Sequence, residues 1–164
     1  MKGSWFEHTV MEEIISDILI ENYFKQIKSH LLKPKNRIPL QLSRQWCRTF
    51  PREAGVYCFF VDDQLSYVGE TGSLKKRLAD LLDSRNHNLR RLVGDKFFSA
   101  EKGYLKATSS IKFPDHIEPL IEKWMITHLK VSLLPVKIGR KEFEEWLQHI
   151  HPEVEFLNKR KKRK

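Results

Sequence analysis

Two strand-forming segments joined by a short turn constrain the fold of this chain more than any other feature. Residues 55–61 read GVYCFFV, an uninterrupted β-prone run, and residues 65–68 form a second, shorter one. The intervening segment 62–64, with two aspartates, is typical of a tight turn. The sequence therefore predicts an antiparallel β-hairpin, in which Tyr57 shares a face with Phe59 because side chains alternate along a strand.

A helix is predicted directly after the hairpin, with Thr71 or Ser73 as its N-cap. Its buried stripe consists of leucines at helical spacing, namely Leu74, Leu78, Leu81 and Leu82. Arg77 lies on the shoulder of that stripe, from which its guanidinium can bind a phosphate and stabilise the added charge of a pentavalent transition state. Lys75 and Lys76 point more toward solvent. They could be nonspecific phosphate contacts or plain surface charge, and we favour surface charge.

Periodicity and turn residues predict the elements that surround this hairpin and helix. Apolar residues between 12 and 32 recur at helical spacing, which predicts a long helix with one buried face. Ser43 can cap a short helix that ends near residue 46. A short amphipathic helix is expected over residues 142–150.

Two further elements are predicted in the middle of the chain. Residues 89–93 form a short basic helix that Gly94 ends. A third strand is expected within residues 104–113, whose centre is rich in Ser and Thr.

The best-defined helix is predicted to begin at Asp115 and to run to about residue 131. Asp115 and Glu118 have the spacing of a capping box, and Pro119 falls in the first turn, where its missing N–H costs little. Glu122 is flanked by apolar side chains on the helical wheel, and an unpartnered carboxylate is costly to bury. A hard metal ion such as Mg²⁺ and a salt bridge to an arginine at the edge of the core explain this position equally well.

The predicted fold is α+β, a small three-stranded sheet, mixed or antiparallel, flanked by helices. At 164 residues the chain is long enough for one domain with a substantial core. We divide it into a helical N-terminal extension (1–50), the sheet-containing core (51–135), a C-terminal helical segment (136–158) and a basic tail (159–164).

The charge of the chain predicts a polyanionic partner. The net charge is +9 and the isoelectric point about 9.6. Residues 159–164 are all Lys or Arg, so the tail carries +6 and leaves +3 for the rest. We expect either a disordered arm that raises nonspecific affinity for phosphates, or a solubilising tail or localisation signal.

The remaining composition favours an intracellular protein. No apolar run approaches the roughly 20 residues that span a bilayer, and the first residues lack the form of a secretory signal. Cys47 and Cys58 are expected to be reduced thiols, since they form no C-x-x-C pattern. His149 and His151 form a close pair without a carboxylate or thiol partner in the sequence, which does not favour a zinc site.

The ordered set of motifs resembles the GIY-YIG nuclease superfamily. The residues that carry the resemblance are GVY at 55–57, YVG at 67–69, Arg77 ten positions after the second tyrosine, and Glu122 on a later helix. The similarity spans residues 51–135, about half of the chain.

This resemblance implies hydrolysis of a DNA phosphodiester with one divalent metal ion, Mg²⁺ or Mn²⁺. The implied catalytic residues are Tyr57, Tyr67, Arg77 and Glu122. In the implied mechanism, water bound to the metal or activated by Tyr57 would attack the phosphate. A metal held by Glu122 would stabilise the leaving oxygen, Arg77 would stabilise the equatorial charge, and Tyr67 would orient water or phosphate. A tyrosine acts as a base only where cations lower its pKa from about 10.

The chain departs from the family pattern in two places. Many relatives carry a lysine directly after Tyr-x-Gly, where this chain has Glu70. Glu70 could pair with Arg77 or hold water, while Lys76 or Lys106 could supply the missing cation. Many relatives also have an asparagine just beyond the proline that follows the metal helix, and residues 136–138 contain none.

His87, Arg90 and Arg91 are candidates for further contacts to nucleic acid. His87 could also transfer a proton, or it could be a plain surface histidine. Besides the DNA endonuclease, two functions remain open. One is an inactive nuclease domain that binds nucleic acid. In the other, the tyrosines and Glu122 have structural roles, and the basic charge is used to bind ribosomes or RNA. The presence of both tyrosines, Arg77 and Glu122 together favours the enzyme.

Overall fold

A computed structural model describes residues 4–158, with side chains from residue 12 onward. The basic tail therefore lies outside the described residues. The elements in chain order are α1 (Ser4–Leu32), β1 (Ile38–Pro39), α2 (Arg44–Cys47), β2 (Gly55–Val61), β3 (Gln64–Thr71), α3 (Leu74–Ala79), α4 (Asn88–Phe97), α5 (Glu118–His128), β4 (Leu129–Pro135) and α6 (Arg140–Ile150). Short 3₁₀ turns occupy Pro34–Asn36 and Asp80–Leu82.

The strands form one antiparallel sheet in the order β1-β4-β2-β3. The predicted hairpin is confirmed: Asp62 and Asp63 form its turn, both with positive φ, as the tight turns of hairpins require. Strand β2 lies between β3 and β4, so the GVYCFFV run is paired on both sides and fully buried except at its end. This position explains why its sequence is apolar without alternation.

The α+β class is confirmed, but the sheet has four strands where the sequence predicted three. The strand expected within residues 104–113 is absent, because this segment leaves Leu105 and Ile111 exposed and buries little besides Ala107 and Phe113. The sheet is completed instead by β1 and by β4. The latter begins directly after α5, which ends at His128, three residues earlier than predicted.

Helices cover both faces of the sheet. Alternation along β2 places Tyr57 and Phe59 on one face, in a cluster with residues of α2 to α5. Val56, Cys58 and Phe60 lie on the other face and pack against α1 and α6. The first face is the one that carries the candidate site.

The long N-terminal helix buries less than its sequence predicted. Phe24, Ile27 and Leu31 pack in the core, but the apolar residues of the preceding turns are about half exposed, Ile18 at 53% and Leu19 at 63%. The expectation of a single buried face along residues 12–32 is therefore wrong for its first half.

Helix capping agrees with the prediction at two helices and differs at two. Ser43 caps α2 and Ser73 caps α3, each accepting a bond from a backbone N–H in the first turn. The predicted capping box at Asp115 does not form, because α5 begins after Ile117 and Glu118 is engaged elsewhere. Gly94 lies inside α4 and does not end it. A Cβ at this position would collide with the ring of Phe113, which explains why the residue is glycine.

None of the helices that the structure describes combines the length and apolar character needed to cross a membrane.

Candidate active site

Tyr57, Tyr67 and Arg77 meet at one cavity of about 340 Å³. The two tyrosines come from the adjacent strands β2 and β3, and Arg77 comes from α3. The other residues that line this cavity, here called the tyrosine cavity, are Gly69, Glu70, Asn88, Glu144 and Asn158. Three of the four residues expected to be catalytic are thus brought together.

Gly69 makes room for the first tyrosine. In the hairpin register Tyr57 is paired with Gly69, and Phe59 with Tyr67. A Cβ added at Gly69 would lie 2.5 Å from both Cζ and the hydroxyl oxygen of Tyr57, so the ring crosses the strand where no side chain stands. The rings of Tyr57 and Tyr67 are nearly parallel, with centroids 6.1 Å apart.

Arg77 is held at the cavity by contacts on two sides. Its Nε donates a hydrogen bond of 2.9 Å to the hydroxyl oxygen of Tyr57. Its Nη1 lies 3.7 Å from a carboxylate oxygen of Asp80 on the next turn. The side chain remains one quarter exposed, so part of the guanidinium is accessible to a ligand.

Both tyrosines are held in the neutral form. Burial raises the pKa of Tyr57 far above its usual value, and the positive charge of Arg77 offsets this only in part. Burial likewise raises the pKa of Tyr67. The cavity therefore offers phenol hydroxyl groups near neutral pH, and Tyr57 is not acidic enough there to accept a proton as phenolate.

Glu70, at the position where many GIY-YIG nucleases carry a lysine, forms an ion pair with another element. Glu70 pairs with Arg140 of α6, Nε to Oε2 3.3 Å, and not with Arg77, which was one of the two roles left open by the sequence. Lys106 pairs with Asp95 at 3.0 Å. Lys76 lines a second cavity of about 400 Å³, which shares Glu70 and Arg77 with the first.

Glu122 is not part of the tyrosine cavity. It lies on α5, its side chain is 49% exposed, and its Oε2 is 3.6 Å from Nη2 of Arg90. It lines a separate cavity with Glu118 and other residues of the same helix. Of the two explanations open at the sequence level, this arrangement corresponds to the salt bridge.

The expected metal site at Glu122 does not fit the site that the tyrosines form. Between residues 12 and 158, where side chains are described, no group of three or more His, Cys, Asp or Glu residues could hold a metal ion. Glu122 would have to bind the ion beside Arg90, which pairs with both Glu122 and Glu118, in a cavity that neither Tyr57 nor Arg77 lines. No catalytic step through a metal on Glu122 follows from this geometry.

Two of the candidates for nucleic-acid contact are buried. His87 is fully buried beside the rings of Tyr57 and Tyr67, and it caps α4 by accepting a bond from Leu89 N through Nδ1. Burial, with the charges of Arg77 and Arg91, lowers its pKa well below the usual value. Arg90 donates to Glu118 at 2.8 Å and to the carbonyl of Leu81. These two side chains are structural, which corrects the expectation of phosphate contacts.

The remaining candidates are accessible to different degrees. Lys76 is exposed on α3, and Lys75 is half-buried. Arg91 is half-buried, and its Nη1 donates to the carbonyl oxygens of Ser84 and Arg85. Of the five residues proposed for nucleic-acid binding, Lys76 alone both is exposed and lines a cavity next to Arg77.

Sequence reasoning missed three polar residues of the tyrosine cavity: Asn88, Glu144 and Asn158. Asn88 is the first residue of α4, directly after His87. Glu144 follows Phe143 on α6, where it borders the buried stripe, a weak signal that the sequence did carry. Asn158 lies beyond all helices and could not be assigned without the fold.

Comparison of the chain with protein-family models, with curated proteins and with solved structures found no match. The assignment of a function therefore depends on the residues of the cavity.

Proposed function

We propose that the chain is a DNA endonuclease of the GIY-YIG type, which hydrolyses phosphodiester bonds in the tyrosine cavity. The observation that carries the proposal is the convergence of Tyr57, Tyr67 and Arg77, with Arg77 bonded to the Tyr57 hydroxyl. A guanidinium that is partly accessible and fixed in orientation suits a phosphodiester, whose oxygens accept its forked donors.

The chemistry of the cavity residues supports this reaction. The hydroxyl of Tyr57 bonds both Arg77 and the hydroxyl of Tyr67, so one O–H proton of the tyrosine pair remains for a phosphate oxygen or for the departing sugar oxygen. Arg77 would stabilise the charge that develops on the phosphate in the transition state. Tyr67, neutral and beside Tyr57, would orient the attacking water or the phosphate.

The surroundings of the cavity are consistent with a nucleic-acid partner. Lys76 and Arg77 line the adjoining cavity together with Glu70 and Asp80, and Arg77 is already shared with the tyrosine cavity. The chain as a whole has a net charge of +9. Positive charge of this size attracts polyanions and makes their binding dependent on salt.

An intracellular, cytoplasmic site of action is part of the proposal. Cys47 and Cys58 are both buried and free, as expected of a protein from a reducing compartment. If the cell is bacterial, association with the nucleoid follows from the DNA substrate.

One observation favours a second function, an inactive nuclease domain that binds nucleic acid. Glu122, the carboxylate that the family resemblance assigns to the metal, pairs with Arg90 outside the cavity. A binding protein needs Arg77 and the basic surface but no reactive carboxylate.

Plasmid cleavage separates the two functions. The purified chain is incubated with supercoiled plasmid in Mg²⁺, in Mn²⁺ and in EDTA, with Arg77→Ala and Glu122→Ala in parallel. We expect nicking with either metal, loss of nicking in Arg77→Ala, and retained nicking in Glu122→Ala. Binding of a labelled DNA is measured in parallel by fluorescence anisotropy. If the chain binds DNA but nicks the plasmid under no condition, the nuclease is refuted and the binding protein is supported.

A further inference from the structure

We infer that the exposed first half of α1 is a dimer interface, and that it binds the same helix of a second copy of this chain, packed antiparallel about a twofold axis. Association of two chains through this helix requires neither DNA nor the proposed nuclease activity. The exposure of residues 12–23, their apolar pattern and the distribution of charge along α1 all point to this partner.

The first half of α1 carries an apolar surface that its own chain does not bury. Every residue from 12 to 23 is exposed, although half of them are apolar. The large apolar side chains are between 39% and 63% exposed, and they are Ile14, Ile15, Ile18, Leu19, Ile20 and Tyr23. Together they expose several hundred Å², and contiguous apolar patches of that size on a monomer mark sites of association.

Most of this surface faces away from the body of the chain. Phe24, Ile27 and Leu31 hold the second half of α1 in the core. At about 100° per residue, Ile15 lies about 180° and Ile18 about 120° around the helix from Phe24. The elements that pack on Phe24 therefore lie on the opposite side of the helix, and the surface formed by Ile15 and Ile18 is open to another molecule.

The charges of α1 favour a second copy of the same helix as that molecule. Residues 12–21 include four acidic residues and no Lys or Arg, whereas residues 22–37 include five Lys or Arg and no acidic residue. The helix dipole does not account for this division, because it acts within the first turn and Glu12 lies eight residues after Ser4. An antiparallel pair brings opposite charges together, while a parallel pair would place acidic segment beside acidic segment.

The centre of the apolar surface sets the register of the pair. It runs from Ile14 to Tyr23, so the twofold axis falls between residues 18 and 19. Contacts across such an axis are reciprocal. Ile18 then lies level with Leu19 of the second copy, and the apolar centre of each helix covers that of the other.

In the same register Glu12 of each chain lies level with Lys25 of the other. Lys25 is bonded to Glu21 of its own helix at 2.9 Å, but both side chains are more than half exposed. An exposed pair of this kind contributes little, so it does not hold Lys25 away from a second chain.

The interface continues onto the body of the chain. Tyr23 donates a hydrogen bond of 3.1 Å from its hydroxyl to the carbonyl oxygen of Ile138, whose side chain is 78% exposed. The apolar area of each chain is at the low end of specific interfaces, so we expect a dissociation constant in the micromolar range.

The first test is sedimentation velocity of the full chain without DNA, at concentrations from about 1 to about 100 µM, which bracket a micromolar Kd. We expect a monomer that becomes a dimer as the concentration rises. Replacing both Ile18→Lys and Leu19→Lys should raise the Kd at least about tenfold, because charges then meet at the axis. The matched control is Leu105→Lys with Ile111→Lys, which adds the same charge at exposed apolar positions outside α1 and should leave the Kd unchanged.

Disulfide formation between chains tests the antiparallel direction. Ile18→Cys places a thiol next to the axis, and we expect mild oxidation to cross-link two chains. Glu12→Cys is the control on the same helix, because two copies of residue 12 would lie about 20 Å apart along an antiparallel pair, too far for a disulfide. A parallel pair would cross-link both variants. Cys47 and Cys58 are buried and do not compete.

Circular dichroism of each variant shows whether the fold is retained, and the cross-linking reports the contact without a charged substitution. A chain that stays monomeric throughout, or a Kd that the Ile18 and Leu19 substitutions leave unchanged, would overturn the inference, and cross-linking of Glu12→Cys as fast as Ile18→Cys would overturn the antiparallel pair. The two proposals fail separately. A monomer that cleaves plasmid refutes the dimer alone, and a dimer that does not cleave refutes the nuclease alone.

Discussion

Arg77 donates from its Nε to the hydroxyl oxygen of Tyr57 over 2.9 Å, and this bond joins α3 to the central strand β2 inside the tyrosine cavity. It fixes the guanidinium before any ligand binds, and the hydroxyl of Tyr57 also shares a hydrogen bond with that of Tyr67. A pre-oriented cation loses less conformational freedom when it binds a phosphate than a free side chain does. The pair is thus suited to binding and to transition-state stabilisation.

Tyr57→Phe removes the acceptor of this bond without changing the shape of the ring. We expect plasmid cleavage to fall about a hundredfold, since a hydroxyl that orients or protonates a reacting group contributes on this scale. Tyr104→Phe is the matched control, because it removes a part-buried hydroxyl that is likewise hydrogen-bonded to a side chain, as donor to Asp95, but lies outside the cavity. Equal cleavage rates of the two variants would contradict a catalytic role for Tyr57.

Gly69→Ala is expected to disrupt the cavity from the opposite strand. The new methyl group would lie 2.5 Å from the Tyr57 hydroxyl, so the ring has to move, at a cost of about 1–3 kcal/mol in stability. Gly72→Ala is the control, since nothing lies within 4 Å of a Cβ there. Urea unfolding of both variants measures the difference. A Gly69→Ala protein as stable as Gly72→Ala would show that the Tyr57 ring does not depend on that space.

The hairpin, its turn and α3 could be predicted because their signals are local. The β-prone run, the two aspartates of the turn and the serine cap each determine the conformation of a few neighbouring residues. The same local signals placed Tyr57, Tyr67 and Arg77 correctly relative to one another, since all three lie within 21 residues of chain.

The prediction is wrong where a residue's role depends on distant partners. The first residues of β4 are predicted as the end of a helix, because the pairing of β4 with β2 across some 70 residues leaves no local trace. Glu122 and Glu118 both border the apolar stripe of α5, and the wheel could not show that Arg90 of α4 binds them. Asn158 enters the cavity only because the C-terminal segment runs along β3.

The contact between Arg90 and Glu118 is expected to be important for stability and not for catalysis. Arg90 is almost fully buried and bonds Glu118 through both Nε and Nη2. Glu118→Gln leaves a buried guanidinium with a weaker partner, which we expect to cost about 3 kcal/mol. Glu122→Gln, at a half-exposed position 3.6 Å from Arg90, should cost less than about 1 kcal/mol. Equal losses in chemical denaturation would contradict this difference.

The basic tail is expected to contribute affinity for DNA that depends on salt. Replacing the six residues 159–164 by Ser and Gln removes six positive charges while the chain keeps its length, so no terminal carboxylate is moved next to Asn158. For each phosphate that the variant no longer neutralises, the slope of log K against log salt becomes shallower by about 0.9. We expect weaker binding below about 100 mM salt and a shallower slope. An unchanged slope would show that the tail does not bind the DNA.

His87 makes the fold sensitive to acid. Its pKa is lowered in the folded chain by burial and by the charges of Arg77 and Arg91, while in the unfolded chain it takes up a proton near pH 6.5. Because the unfolded state then binds more protons, the free energy of unfolding falls as pH is lowered below about 6.5, by up to about 1.4 kcal/mol per pH unit. His87→Asn keeps an N-cap acceptor for α4 and removes the titrating group. Urea unfolding at pH 7 and pH 5 should therefore show a smaller acid-induced loss in His87→Asn than in the unmodified chain, whereas His116→Asn, at an exposed position, should leave the loss unchanged. The same loss in all three proteins would assign the acid sensitivity to other groups.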